Sequence, residues 1–190
     1  MENESIYRAA IPLFARYGYK KTTLEDIAGA LDMSTANLYS YTDSKRSLYE
    51  ECIAYAIDQW QENVRQATAG IEDPKEKLLV TFHSGASYLL THNDTMALLK
   101  NDPSIFPMFP TVDPIEEYND WSVNFCRDIL QEGMDKGVFR AMDVNVMASL
   151  LFGFYKYIVV SSVEEEADPE HMKKIMETTG TLIFDGLCID

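Results

Sequence analysis

Cysteine and histidine are scarce in this chain of 190 residues, with three of each. Cys52, Cys126 and Cys188 stand far apart and in no CxxC arrangement, which is poor material for a disulfide framework or a zinc site. At such spacing they are expected as ordinary half-buried thiols, since free cysteine behaves as a small hydrophobe. His83, His92 and His171 are scattered. There is no HExxH, no glycine-rich phosphate loop, no G-x-S-x-G elbow and no ExxH pair for a di-iron helical bundle. No catalytic residues, metal site or cofactor are therefore expected, and an enzyme is not the reading. Long apolar runs are missing as well. None reaches the roughly 18 residues of a membrane span, and the longest, around Leu150–Val160, is interrupted by Lys156. The opening "MENESIYRAA" has no apolar signal core, so a cytoplasmic protein with no membrane partner is expected.

Positive charge is the other shortage. Sixteen Lys and Arg face 31 Asp and Glu, a formal net charge of -15. The imbalance is uneven. Residues 1–52 hold six basic and eight acidic side chains, net -2, and residues 53–190 carry the remaining -13. An acidic body repels nucleic acid, so any DNA contact is confined to the N-terminal quarter. Hydrophobic residues make up 46%, enough to fill a sizeable core and to exclude wholesale disorder.

No strand-like alternation of any length and no internal repeat occurs, and the chain reads as about nine helices, all-α. Ile6, Ala9, Ala10, Leu13, Phe14 and Tyr17 recur at helical spacing, and Gly18 stops that run. Pro12 inside it predicts a kink, or a helix that is short and starts late. Thr23 with Asp26 resembles a capping box. Leu24, Ile27, Ala28 and Leu31 mark a short helix with one apolar face. "DMS" is a turn, and Ser34 caps a second short helix from Thr35 to about Tyr41. Ser44 caps a long helix, Lys45 to about Ala67. Further helices are expected at about Pro74–His92, Thr95–Lys100, Pro114–Lys136, Asp143–Val163 and Glu170–Leu187. "NDPSIFPMFPTVDP" carries four of the seven prolines and reads as a loop or a broken segment.

Two short helices joined by a tight turn make a helix-turn-helix, whose second helix enters the major groove. Its leading residues are Thr35, Ala36, Asn37, Tyr39 and Ser40. Thr35, Asn37 and Ser40 donate or accept hydrogen bonds, and Ala36 permits close approach. Leu38 faces back toward Ile27 and Leu31. The stretch "LFARYGYKKTTLEDIAGALDMSTANLYSYTDSKRSLYEE" resembles the DNA-binding domain of the TetR family of transcriptional regulators, over about residues 6–52. Two positions depart from that pattern. Ala36 stands where glycine is common, and Thr42 where an aromatic is usual, which should loosen packing between the recognition helix and the fourth helix. The resemblance implies phosphate contacts by Thr23 and Lys45. It also implies groove contacts by Thr35, Ala36, Asn37 and Tyr39, and a packing or backbone role for Tyr41. It divides the chain into a DNA-binding domain, 1–46, and a ligand-binding and dimerisation domain, 47–190.

The same resemblance implies a homodimer through the last two helices, a palindromic double-stranded DNA operator, and a small-molecule effector that releases a repressor. The residues agree on the first point. Val144, Met147, Leu150, Leu151, Phe154, Tyr155, Ile158 and Val159 make a helix apolar almost all round, which needs cover on more than one face. Aromatic and methionine side chains of the middle helices suit a hydrophobic or aromatic ligand. The candidates are Phe82, His83, Met96, Phe106, Phe109, Trp121, Phe125, Phe152 and Tyr155. The rival reading is a helical interaction module that does not bind DNA.

Overall fold

The computed structural model describes residues 2–105, 116–164 and 169–188. Among them lie nine α-helices: α1 Glu2–Lys21, α2 Leu24–Ala30, α3 Thr35–Leu38, α4 Lys45–Thr68, α5 Pro74–Thr91, α6 Asn93–Asn101, α7 Glu116–Asp135, α8 Val144–Glu164 and α9 Pro169–Leu187. The all-α expectation holds. The extended exception among the described residues is an isolated antiparallel bridge between Phe139 and Cys188.

The expected caps account for the starts of α2, α3, α4 and α8. The Ser34 hydroxyl accepts from the Asn37 N–H at 3.2 Å, and Ser44 accepts from Ser47 at 3.0 Å. The Asp143 carboxylate accepts from Asn145 and Val146 at 3.0 and 3.2 Å. Each satisfies an N–H that has no partner within its helix. Two expectations change. α1 begins at Glu2 and runs through Pro12 without the expected kink or late start, while Gly18, φ 73°, breaks the helix where a stop was expected. The second helix of the pair ends at Leu38 rather than Tyr41. Beyond it, the Ser40 and Tyr41 N–H groups reach back only three residues, to Asn37 and Leu38, the tighter pattern of a helix terminus.

The chain packs as two units, Met1–Trp60 with Leu89–Ile105, and Gln61–Tyr88 with Phe106–Asp190. In the first, α1 packs on α6 and α2, and α2 on α3. Ile6, Ala10, Phe14, Ile27, Leu38, Leu48 and Cys52 are buried there. In the second, α7 packs on α8 around Leu78, Ile129, Leu130, Phe139, Ala148, Leu151 and Leu187. Gly133 admits Phe139, whose ring occupies the space a Cβ would need. Gly137, φ 69°, ends α7, and its left-handed torsion favours glycine. Arg140 then ties this connector to the end of α9, donating its backbone N–H to Leu187 and its Nε to the Cys188 carbonyl, both at 2.8 Å.

α8 is more apolar than the sequence suggested. Its window Val144–Ser161 is long and apolar enough, by length and composition, to cross a bilayer, with mean hydropathy 1.5. Lys156 lies within it and is itself buried.

Candidate nucleic-acid interface and effector site

The helix-turn-helix is held by three local devices. At the start of α2 the capping box is complete. The Thr23 hydroxyl accepts from the Asp26 N–H at 3.1 Å, and the Thr23 N–H donates to the Asp26 carboxylate at 2.9 Å. The Thr23 hydroxyl also donates to that carboxylate at 2.7 Å. These bonds hold the Asp26 carboxyl below its ordinary range, the side-chain hydroxyl contributing most.

At the other end of α2 the Met33 N–H donates to Ala28 and the Asp32 N–H to Gly29, at 3.0 and 3.2 Å. That is the paired closure of a Schellman turn. Its left-handed position falls on Asp32, φ 52°, a conformation that Asp tolerates better than most residues.

The third device is Leu38. It is fully buried, as are Ile27 and Ala28 to within about a percent, so one apolar face seats α3 on α2. The opposite face is left to solvent. Ala36, Asn37 and Ser40 are exposed and Thr35 is partly so. Tyr39 is 54% exposed. Tyr41 is half-buried and Thr23 exposed. Local bonds already engage some of these groups. The Ser40 hydroxyl donates to the Asn37 carbonyl at 2.6 Å. Thr42, where looser packing was expected, is buried and donates to the Ser44 carbonyl at 3.1 Å.

Lys45, for which the resemblance implied a phosphate contact, is engaged within the chain itself. Its ammonium is turned inward. It donates to the carbonyls of Tyr19 and Thr22 at 2.9 and 3.1 Å and lies 4.5 Å from the centre of the Tyr19 ring. The neighbouring cation Arg46 is exposed and paired with Glu50 at 2.8 Å. Lys20 and Lys21 are exposed.

Sequence reasoning expected α6 at about Thr95–Lys100 but missed the bonds made at its end. Asn101 donates to the Ala15 carbonyl at 2.6 Å, and the Tyr49 hydroxyl donates to Asp102 at 3.1 Å. Burial, and then the Asp102 carboxylate, push the Tyr49 phenol upward. No local pattern announces bonds across such separations.

The expected effector residues divide. Phe82 and Tyr155 meet at 5.8 Å between ring centres, and Trp121 stacks on Phe125 at 4.9 Å. Phe82 and Phe125 pack on the same core of the second unit. The Arg65 guanidinium covers the Trp121 ring at 4.5 Å. Phe152 is half-buried on α8, with the Lys156 ammonium 5.9 Å from its ring centre. Two expectations do not join this group. His83 is exposed on α5, because its position falls on the outward face of that helix. Met96 belongs to the first unit. Phe106 and Phe109 lie outside the described residues. An open depression of about 480 Å³ lies beside Trp121, lined by Glu116, Glu117, Asp120 and Asn124. Among the described residues no His, Cys, Asp and Glu cluster has metal-binding geometry. Burial pushes the Cys126 thiol up to about 12, which leaves it inert.

One face of α8 is an exposed apolar stripe among the described residues. Val146, Leu150, Phe154 and Tyr157, all 51–56% exposed, follow one another along it, and Leu182 of α9 is 71% exposed. A Cβ added at Gly153, Gly180 or Gly186 would meet nothing within 4 Å.

Known proteins agree with this arrangement. The bacterial regulatory proteins of the tetR family match residues 6–52. The HTH-type transcriptional repressor KstR2 of Mycolicibacterium smegmatis is 26% identical over 145 residues, 76% of this chain and 71% of that protein. The biofilm operon icaADBC negative transcriptional regulator IcaR of Staphylococcus aureus is 42% identical over 55 residues, 29% of this chain and 30% of that one. A TetR transcription regulator from Haloarcula marismortui superposes with a TM-score of 0.83 at 19% identity, covering 98% of this chain and 97% of the other.

Proposed function

We propose that this chain, which belongs to the tetR family of bacterial regulatory proteins, is a repressor that binds a palindromic operator as a homodimer and is released by a small apolar or aromatic effector. The observation that carries the reading is the two-sided α3. Leu38 is buried against α2, and Thr35, Ala36, Asn37, Tyr39 and Ser40 lie on the side left to solvent. Side chains of that size and polarity fit base edges in a major groove, and Thr23 and Tyr41 flank them for the backbone. Relatives named as a transcriptional repressor and a negative regulator support the sign of the effect.

In this reading residues 1–46 touch DNA, and residues 47–190 hold the effector and the dimer. The partner is a second copy. The exposed α8 stripe with Leu182 is the kind of apolar patch that a two-fold, self-complementary interface covers, and it accounts for the apolarity of α8 without a membrane. Phe82, Trp121, Phe125, Phe152 and Tyr155 are the proposed effector residues. The effector shifts the dimer between two states only by its differential affinity for them. The protein works in the cytoplasm, with its operator.

The test is fluorescence anisotropy of the purified protein with the DNA upstream of its own gene, at two salt concentrations, beside a scrambled duplex. Tight, selective binding that weakens with salt is the expected result. A folded dimer that ignores every duplex tiled across that region favours the rival, a helical module without DNA.

A further inference from the structure

We infer that Lys45 is a positioning residue, which fixes the recognition helix by holding the end of α1. The inference rests on the DNA-binding reading above. It starts from Gly18. The left-handed break there interrupts the helical ladder and leaves carbonyls at the end of α1 in need of donors. Three side chains supply them. The Thr22 hydroxyl lies 2.9 Å from the Gly18 carbonyl and 3.2 Å from that of Leu13. Asn101 reaches the Ala15 carbonyl. Lys45 takes Tyr19 and Thr22 together.

An ammonium is suited to this task. It carries three donors and a full positive charge, and a helix C-terminus is the negative end of the backbone dipole. The Tyr19 ring beneath it adds a cation–π contact. Tyr19 in turn packs on Tyr49 at 5.0 Å, and Tyr49 on Phe14 at 4.9 Å. The location gives the bond its consequence. Lys45 opens α4, and Thr22 is the residue immediately before Thr23, the N-cap of α2. One side chain therefore fixes the start of α4 to the entry of α2, and α2 carries α3. Removing the ammonium would cost the start of α4 both hydrogen bonds and the contact with the Tyr19 ring.

Three roles give three signatures in one set of titrations. The probes are the duplex upstream of the protein's own gene and a scrambled duplex, titrated with full-length wild type, Lys45→Met, Lys45→Gln and Lys45→Arg between about 50 and 200 mM salt. A positioning role predicts that Lys45→Met lowers the ratio of specific to scrambled affinity about tenfold, the scale of one mismatched base pair, with the salt slope unchanged. Lys45→Arg, which keeps the donors, restores most of the ratio. A phosphate ligand would instead weaken both duplexes alike on removal and make the slope shallower by about 0.9 for each phosphate no longer neutralised. That result overturns the inference. So does a change in melting temperature alone, with ratio and slope both intact. If circular dichroism shows Lys45→Met unfolded, Lys45→Gln carries the same comparison. If wild type discriminates between no duplexes, the DNA-binding reading fails and the positioning role falls with it.

Discussion

The recognition segment, residues 23–41, and the helix α8, the proposed dimer face, illustrate two ways in which a sequence carries function. The first is dense with local signals. Thr23 with Asp26, then Ser34, then buried Leu38 follow one another between residues 23 and 38, and each acts on its near neighbours. α8 has almost none. It is a long run of apolar side chains in which Leu151 is 1% exposed and the adjacent Leu150 is 52% exposed. Composition makes both residues candidates for a core. Only packing against α7 and α9 separates the two faces. Local hydrogen bonds can be read from spacing, whereas the partition of an all-round apolar helix cannot.

Experiments can sharpen that contrast, beginning with the largest effect. Phe139, 2% exposed and seated over Gly133, anchors the second unit, and Phe139→Ala should cost about 3–5 kcal/mol. Leu38, at 0% exposure in the first unit, should cost about 2–5 kcal/mol as Leu38→Ala. Urea unfolding followed by circular dichroism measures both. A loss under about 1 kcal/mol at either site would mean that its neighbours collapse into the gap.

The α8 face comes next. Phe154→Asp places a charge in the exposed stripe and should dissociate the dimer, at a cost of about 2 kcal/mol or more if Phe154 is a central anchor. Sedimentation velocity reads the result directly. A variant that sediments as wild type removes Phe154 from the interface.

The caps of the recognition segment should respond less than its buried Leu38, because each cap is a small local device. Thr23→Ala removes one cap and should lower stability by about 1 kcal/mol in thermal melts, near the middle of the range for caps. An unchanged melt would mean that Asp26 and solvent satisfy the end of α2 without it.

The smallest effect is a pH dependence. The Asp26 carboxyl is held below its unfolded value by Thr23. Its contribution is therefore complete above the ordinary carboxylate range and is lost as pH falls through the lower, folded value. The melting temperature of the wild type should fall more steeply on acidification than that of Asp26→Asn. Parallel curves would remove Asp26 from the acid response.

Much of the fold was legible because helix starts are chemically marked. Ser34, Ser44 and Asp143 all cap where their side chains and the periodicity place them. The errors arose where a local rule met a tertiary one. Pro12 suggested a late or kinked start, but α1 runs from Glu2 with its non-helical torsions at Gly18. The helix continues through Pro12 while packing on α6 and α2, which the local pattern does not show. His83 shared the apolar neighbourhood of Phe82 in the sequence, yet successive positions on a helix point about 100° apart, and His83 is exposed while Phe82 packs on the core.

The sequence by itself determined the all-α class, the position of the helix-turn-helix and the outward set Ala36, Asn37, Tyr39 and Ser40. Those depend on period, caps and turn chemistry within a few residues. The tertiary structure alone decided what Lys45, Asn101 and Tyr49 do. Their partners lie 26, 86 and 53 residues away, and a cation or an amide carries no local mark of the carbonyl or carboxylate that it will meet. A polar side chain advertises its need for a partner, and only the folded chain supplies one.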